Sequence, residues 1–123
     1  MFDKVLIANR GEIALRVVRA CRELGIKTVG VFSDPDYNLL HLKFVDQKVA
    51  LGGSLPQDTY LNEEKIIRAC ELTGASALHP GYGFLSENAE FARKLKERGI
   101  AFIGPDADLL ERMKNKLQAK RIL

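Results

Sequence analysis

The chain alternates short apolar runs with segments of helical period, and that alternation restricts it to a parallel sheet flanked by helices. Val5-Leu-Ile-Ala8 is a continuous apolar run, between Asp3-Lys4 and Asn9-Arg10-Gly11, as expected of a strand covered on both faces. From Ile13 the period changes. Ile13, Val17, Ala20, Cys21 and Leu24 share one helical face, Glu12, Arg16, Arg19 and Glu23 the other, and Gly25 ends the helix. Thr28-Val-Gly-Val-Phe32 follows as a strand closed by Ser33-Asp-Pro-Asp36. Strand, helix and strand within about thirty residues make a right-handed βαβ unit.

The rest continues the pattern. Leu39–Phe44 reads as a short helix and Lys48-Val-Ala-Leu51 as a weak strand. Leu61–Thr73 reads as a second main helix with Ile66, Ala69, Cys70 and Thr73 inward, followed by the strand Ala75-Ser-Ala-Leu78. Asn88–Arg98 is a third helix and Ile100-Ala-Phe-Ile103 a strand, with Gly104-Pro105-Asp106 capping a last helical stretch. The fold class is therefore α/β: a small doubly wound, mainly parallel five-stranded sheet with helices on both faces, Rossmann-like in arrangement. Ligands of such sheets meet the loops at the strand C-termini. Residues 9–11, 33–36, 79–87 and 104–106 fall at that edge.

At 123 residues, 46% apolar and 28% charged, one domain with a real core is expected. The net charge of +3 comes from basic residues spread along the chain. Aromatics do not alternate with them, so no nucleic-acid partner is expected. There is no apolar run of membrane-spanning length and no visible targeting segment, so the expected setting is cytoplasmic and away from membranes. Cys21 and Cys70 lie within helical patterns and read as buried free thiols.

Most polar constellations have a structural and a chemical reading. The turn Ala8-Asn-Arg-Gly-Glu-Ile13 has one glycine where a dinucleotide site has three, and Glu12 would repel a pyrophosphate. A tight turn with Glu12 complementing the helix dipole fits better, although Asp34 leaves a weak case for ribose recognition. His79 and His41 are the only histidines, too few for a recognisable metal site, and none is assigned. Arg19 and Glu23, four apart, are either a solvated pair or part of a contact surface. Arg112, Lys116 and Lys120 line one helical face, as a solvated end or a phosphate contact. His79-Pro-Gly-Tyr-Gly-Phe-Leu-Ser-Glu-Asn88 packs two glycines, a proline and several polar groups between a strand and a helix. It is either an ordinary turn with a serine cap or a loop displaying side chains in a fixed arrangement.

Taken in order, residues 2–14, Arg19-Ala-Cys-Arg-Glu-Leu-Gly25, the 79–88 run and Phe102-Ile-Gly-Pro105 resemble the N-terminal, pre-ATP-grasp domain of biotin carboxylase. The resemblance implies a domain over residues 1–112 and, at 113–123, a basic helical segment leading towards an absent ATP-grasp domain. It implies a ligase that uses MgATP and bicarbonate to carboxylate N1 of biotin on a carrier domain. By the same resemblance this chain is an N-terminal part, inactive alone and binding no cofactor itself. Its partners would be the remaining ATP-grasp and C-terminal domains, the biotin carboxyl carrier domain, a carboxyltransferase and a second copy in a homodimer. Lys116 falls at the family's ATP-contacting lysine. Tyr82 and Gly83 fall at the border of the biotin and bicarbonate pocket, with Glu87 a weaker member, and Arg19 and Glu23 fall at the dimer interface. Met113-Lys-Asn-Lys116 departs from the family's Met-Gly-Asp-Lys, and Lys114 in place of glycine favours continued helix. The alternative is a stand-alone Rossmann-type nucleotide-binding or interaction module.

Overall fold

A computed structural model describes residues 2–103. Five strands, β1 (Lys4–Ile7), β2 (Lys27–Phe32), β3 (Gln47–Ala50), β4 (Ala77–His79) and β5 (Ala101–Phe102), form one sheet in the order β3-β2-β1-β4-β5. Every pairing is parallel. Between them run α1 (Gly11–Glu23), α2 (Glu63–Thr73) and α3 (Ala89–Glu97), with short 3-10 turns at Asp34–Asp36, Leu40–Lys43 and Pro56–Asp58.

The continuous apolarity of β1 has the expected cause. Val5 and Ile7 face α1 and meet Val17, Val18 and Cys21, whereas Leu6 and Ala8 face α2 and α3 and meet Ile66, Cys70, Phe91 and Leu95. Successive side chains of a strand point to opposite faces, so a central strand with helices on both sides needs apolar residues throughout. Gly30 in β2 is the exception. A Cβ there would stand 2.9 Å from Leu42 Cδ2 and 3.2 Å from Val45 Cγ1, so its missing side chain lets the 40–43 turn close over the sheet.

Several boundaries differ from the sequence expectation. The second helix begins at Glu63, because Asn62 caps it by accepting from the Lys65 N–H and the residues before it form a 3-10 turn. Leu61 is accordingly outside it. In α2 the buried face is Ile66, Ile67, Ala69 and Cys70. Thr73 is only half-buried and returns its hydroxyl to the Ala69 carbonyl. In α1, Ala14, Leu15 and Val18 are buried with Val17 and Cys21, while Ile13, Ala20 and Leu24 are half-buried, because the 40–43 turn widens the covered stripe. The expected cap of α3 is also corrected: Asn88, not a serine, accepts from the Phe91 N–H.

Both cysteines are free and buried, and loss of hydration pushes each thiol up to about 12. They are inert core groups. His41 is also buried, and neither ring nitrogen has a hydrogen-bond partner among the described residues. Burial lowers its pKa, Asp36 opposing and Arg10 reinforcing the shift. The unfolded chain therefore takes up this proton first as pH falls. The stabilisation is complete above the ordinary histidine value of about 6.5 and is lost as pH drops through the lower folded-state value. Thermal unfolding between pH 5 and 8 is expected to show this decline, and His41→Gln to flatten it. An unchanged slope in the variant would remove His41 as its source.

Candidate functional site

The strand order reverses between β1 and β4: the chain winds outward from β1 to β2 and β3, then returns to place β4 and β5 on the other side. At such a switch point the two adjoining loops diverge and leave room for a ligand. Here they are the turn after β1, containing Asn9 and Arg10, and the 80–88 segment after β4.

Arg10, half-exposed, reaches across to the loop after β2. Its Nε and Nη2 donate to Asp36 Oδ2 and Oδ1 at 2.7 and 2.8 Å, a bidentate pair. Asp36 also accepts from Ser33 Oγ at 3.0 Å and from the Tyr60 hydroxyl at 2.7 Å. The hydrogen bonds from Arg10 chiefly hold the Asp36 carboxyl down at about 2, against the opposing effect of burial, and the same contact raises the guanidinium pKa. The Tyr60 hydroxyl in turn accepts the Ser33 N–H at 3.2 Å, and burial raises its pKa. The Tyr60 ring stacks on Phe84 with centroids 5.1 Å apart. Four separate segments are thus bonded into one edge.

The 80–88 segment has an unusual backbone. Gly81 and Gly83 have φ of +65° and +76°, and between α3 and the second of these lies Phe84 at +47°, the one non-glycine with positive φ among the described residues. An L-residue there costs about 1–2 kcal/mol, which the stack on Tyr60 and the burial of neighbouring Leu85 help to offset. His79 is 3% exposed, and its Nδ1 accepts the Gly81 N–H at 3.0 Å, so it shapes the turn. Among the described residues no group of three His, Cys, Asp or Glu could hold a metal ion.

Of the residues singled out from sequence, Tyr82, Gly83 and Glu87 come together on this segment and face outward, Tyr82 with 60% of its surface exposed. Nothing lies within 4 Å of where a Cβ on Gly83 would stand. Arg19 and Glu23 lie elsewhere. They sit in the last turns of α1, which runs back towards the N-terminal ends of the strands, so they are not part of the switch-point edge. There, with Arg22 and Phe44, they line a shallow depression of about 260 Å³, and the Arg22 guanidinium lies 5.7 Å from the Phe44 ring centroid. Lys116, the 104–106 cap and the whole 113–123 segment lie outside the described residues.

Sequence reasoning placed residues 9–11 and 33–36 at this edge but gave Asn9, Arg10 and Asp36 no role there, and it passed over Tyr60. Asp34, considered for ribose recognition, is exposed and accepts the Gly53 N–H at 3.3 Å. The organising carboxylate is two residues later. Ser33-Asp-Pro-Asp36 carried a signal, since Ser33 and Asp36 are spaced to bond one another, but the pairing with Arg10 spans 26 residues.

A parallel, doubly wound α/β sheet with hydrogen-bonded loops at its switch point is a Rossmann-like domain. The chain belongs to the biotin carboxylase N-terminal domain family, whose pattern it matches over residues 1–110. It is 53% identical to biotin carboxylase of Pseudomonas aeruginosa over 120 residues, 98% of this chain and 27% of that protein. It is 50% identical to the mitochondrial propionyl-CoA carboxylase alpha chain of Rattus norvegicus, over 97% of this chain and 16% of that one. The solved biotin carboxylase domain of a thermophilic 2-oxoglutarate carboxylase, bound to ADP without magnesium, superposes with a TM-score of 0.80 at 50% identity, covering 99% of this chain and 27% of that one. The chain thus spans about a quarter of the bacterial relative's length.

Proposed function

We propose that this chain is the N-terminal domain of a biotin carboxylase that uses ATP and bicarbonate to carboxylate carrier-bound biotin, and that alone it turns nothing over. The observation that carries this reading is the match to the family over residues 1–110 combined with an outward-facing loop at the switch point. In this reading Tyr82 and Gly83 border the biotin and bicarbonate pocket. Tyr82 supplies a flat apolar face and Gly83 a backbone that a ligand can approach without meeting a side chain. Glu87, exposed on the same segment, is a weaker member.

In this reading magnesium would be held with ATP by the ATP-grasp domain. ATP supplies the activation of bicarbonate when bound there, and Lys116 would reach the nucleotide from this chain. Arg19 and Glu23, with Arg22 and Phe44, would form part of a contact between two copies. Further partners would be the ATP-grasp and C-terminal domains, the biotin carboxyl carrier domain and a carboxyltransferase, in the cytoplasm.

The test is a chimera in which this chain replaces the equivalent N-terminal quarter of the Pseudomonas aeruginosa enzyme. Biotin- and bicarbonate-dependent ADP formation is expected from the chimera and not from the isolated chain. A folded chimera without turnover, or tight binding of NAD by the chain, would favour the stand-alone Rossmann module instead.

A further inference from the structure

Asn9 lies in the turn after β1, across the switch point from Tyr82, yet it is more closely tied to the 80–88 segment than to its own turn. Its side chain is almost wholly buried, at 3% exposure. Nδ2 donates to the Pro80 carbonyl at 2.8 Å and to the Tyr82 carbonyl at 2.7 Å, while Oδ1 accepts the Arg10 N–H at 2.8 Å. Both N–H groups of the amide are therefore spent on the carbonyls of the two residues flanking Gly81. Gly81 has φ +65°, and a Cβ there would stand 2.7 Å from Asn9 Nδ2 and 2.8 Å from Ile13 Cγ2. From the other side, His79 Nδ1 accepts the Gly81 N–H. The backbone that leads into Tyr82 and Gly83 is gripped at three successive points.

We propose that Asn9 is a positioning residue for the biotin and bicarbonate pocket, acting through the main chain of residues 80–82 and touching no substrate. The inference rests on the reading of Tyr82 and Gly83 as that pocket's border. Chemistry favours asparagine at this position. Two carbonyl acceptors within reach of one side chain need two donors from it, and an amide offers both while its oxygen holds the adjoining turn. Aspartate has the same shape but would set a carboxylate against two carbonyl oxygens. Serine or alanine would leave the buried Pro80 carbonyl without its donor. Gly81 is the complement of this grip, because only a residue without Cβ fits between the amide and Ile13.

The experiment compares Asn9→Ala and Gly81→Ala in two settings. In the isolated chain, amide hydrogen exchange is expected to quicken at residues 81–86 and to stay unchanged in β1, β2 and α2. In the chimera, the KM for biotin and for bicarbonate is expected to rise about five- to tenfold, with the KM for ATP within about twofold, since a small misplacement of a binding wall is felt at that wall. Unchanged kinetics and exchange in both variants would overturn the proposal. So would a loss of turnover with every KM unchanged, which reports fewer folded molecules. If both variants fail to fold, Asn9 serves the domain's stability and the proposal is likewise overturned. If the unsubstituted chimera is inactive, the biotin carboxylase reading has failed. Localised exchange would then show only that Asn9 holds the loop, and the pocket role would be withdrawn with that reading.

Discussion

Replacing Asp36 with alanine is expected to cost about 2–4 kcal/mol of folding stability, measured by urea unfolding of the isolated chain at pH 7. The carboxylate accepts four hydrogen bonds from Arg10, Ser33 and Tyr60. Its removal leaves the Tyr60 hydroxyl and the Ser33 hydroxyl without this acceptor, in residues that are each 2% exposed. A buried polar group deprived of its partner costs about 1–3 kcal/mol. The Arg10 guanidinium contributes less, because its side chain is 46% exposed and can return to water. Against a total stability of about 5–15 kcal/mol for a domain this size, the loss is large.

The same carboxylate sets an acid limit. Its folded-state pKa of about 2 lies below the ordinary 3.8, so its contribution is present above the ordinary value and is lost as pH falls from about 4 towards 2. Asp36→Ala should therefore be less stable at neutral pH and lose less than the parent chain across that acid range. A variant within about 0.5 kcal/mol of the parent at pH 7 would show that the network organises the edge without stabilising the fold.

This network also marks where sequence reasoning stops. The central strands were legible because burial on both faces demands continuous apolarity, and Val5–Ala8 has it. Strands at the sheet's edges were less distinct. In β3, Gln47, Lys48 and Ala50 are exposed, and β5 has two half-buried residues, so neither carries a strong pattern. Helix starts depended on which side chain reached back to a backbone N–H, and the choice of Asn62 or Asn88 over a nearby serine or leucine is geometric.

The candidate site was legible as a place and not as a mechanism of support. Two glycines beside Tyr82 announced a special backbone, and the resemblance to a family attached a pocket to it. The posts that hold the segment were hidden. Asn9 and Tyr82 are 73 residues apart, and Tyr60 stands in a polar loop where an aromatic ring carries no periodic signal. Long-range polar pairs have no local pattern from which to read them, whereas apolar periodicity is local.

The second large effect concerns Tyr82 itself. The residue is 60% exposed and its backbone is flanked by the positive-φ positions Gly81, Gly83 and Phe84, so truncating the ring should disturb the fold little. If the ring covers one side of bound biotin, losing it forfeits an aromatic contact worth about 1.5–3 kcal/mol, or roughly ten- to hundredfold in affinity. Arg19 and Glu23, near the opposite end of α1, should behave differently: their replacement would alter association between copies, read as sedimentation mass, and leave biotin affinity alone.

The most direct measurement is the KM for biotin of the chimera carrying Tyr82→Ala, beside the chimera carrying Arg19→Ala, with the KM for ATP as the internal reference. The account predicts at least a tenfold rise for Tyr82→Ala alone, at an unchanged KM for ATP. Equal biotin KM values in the two variants and the parent chimera would contradict it and remove the switch-point loop from the pocket.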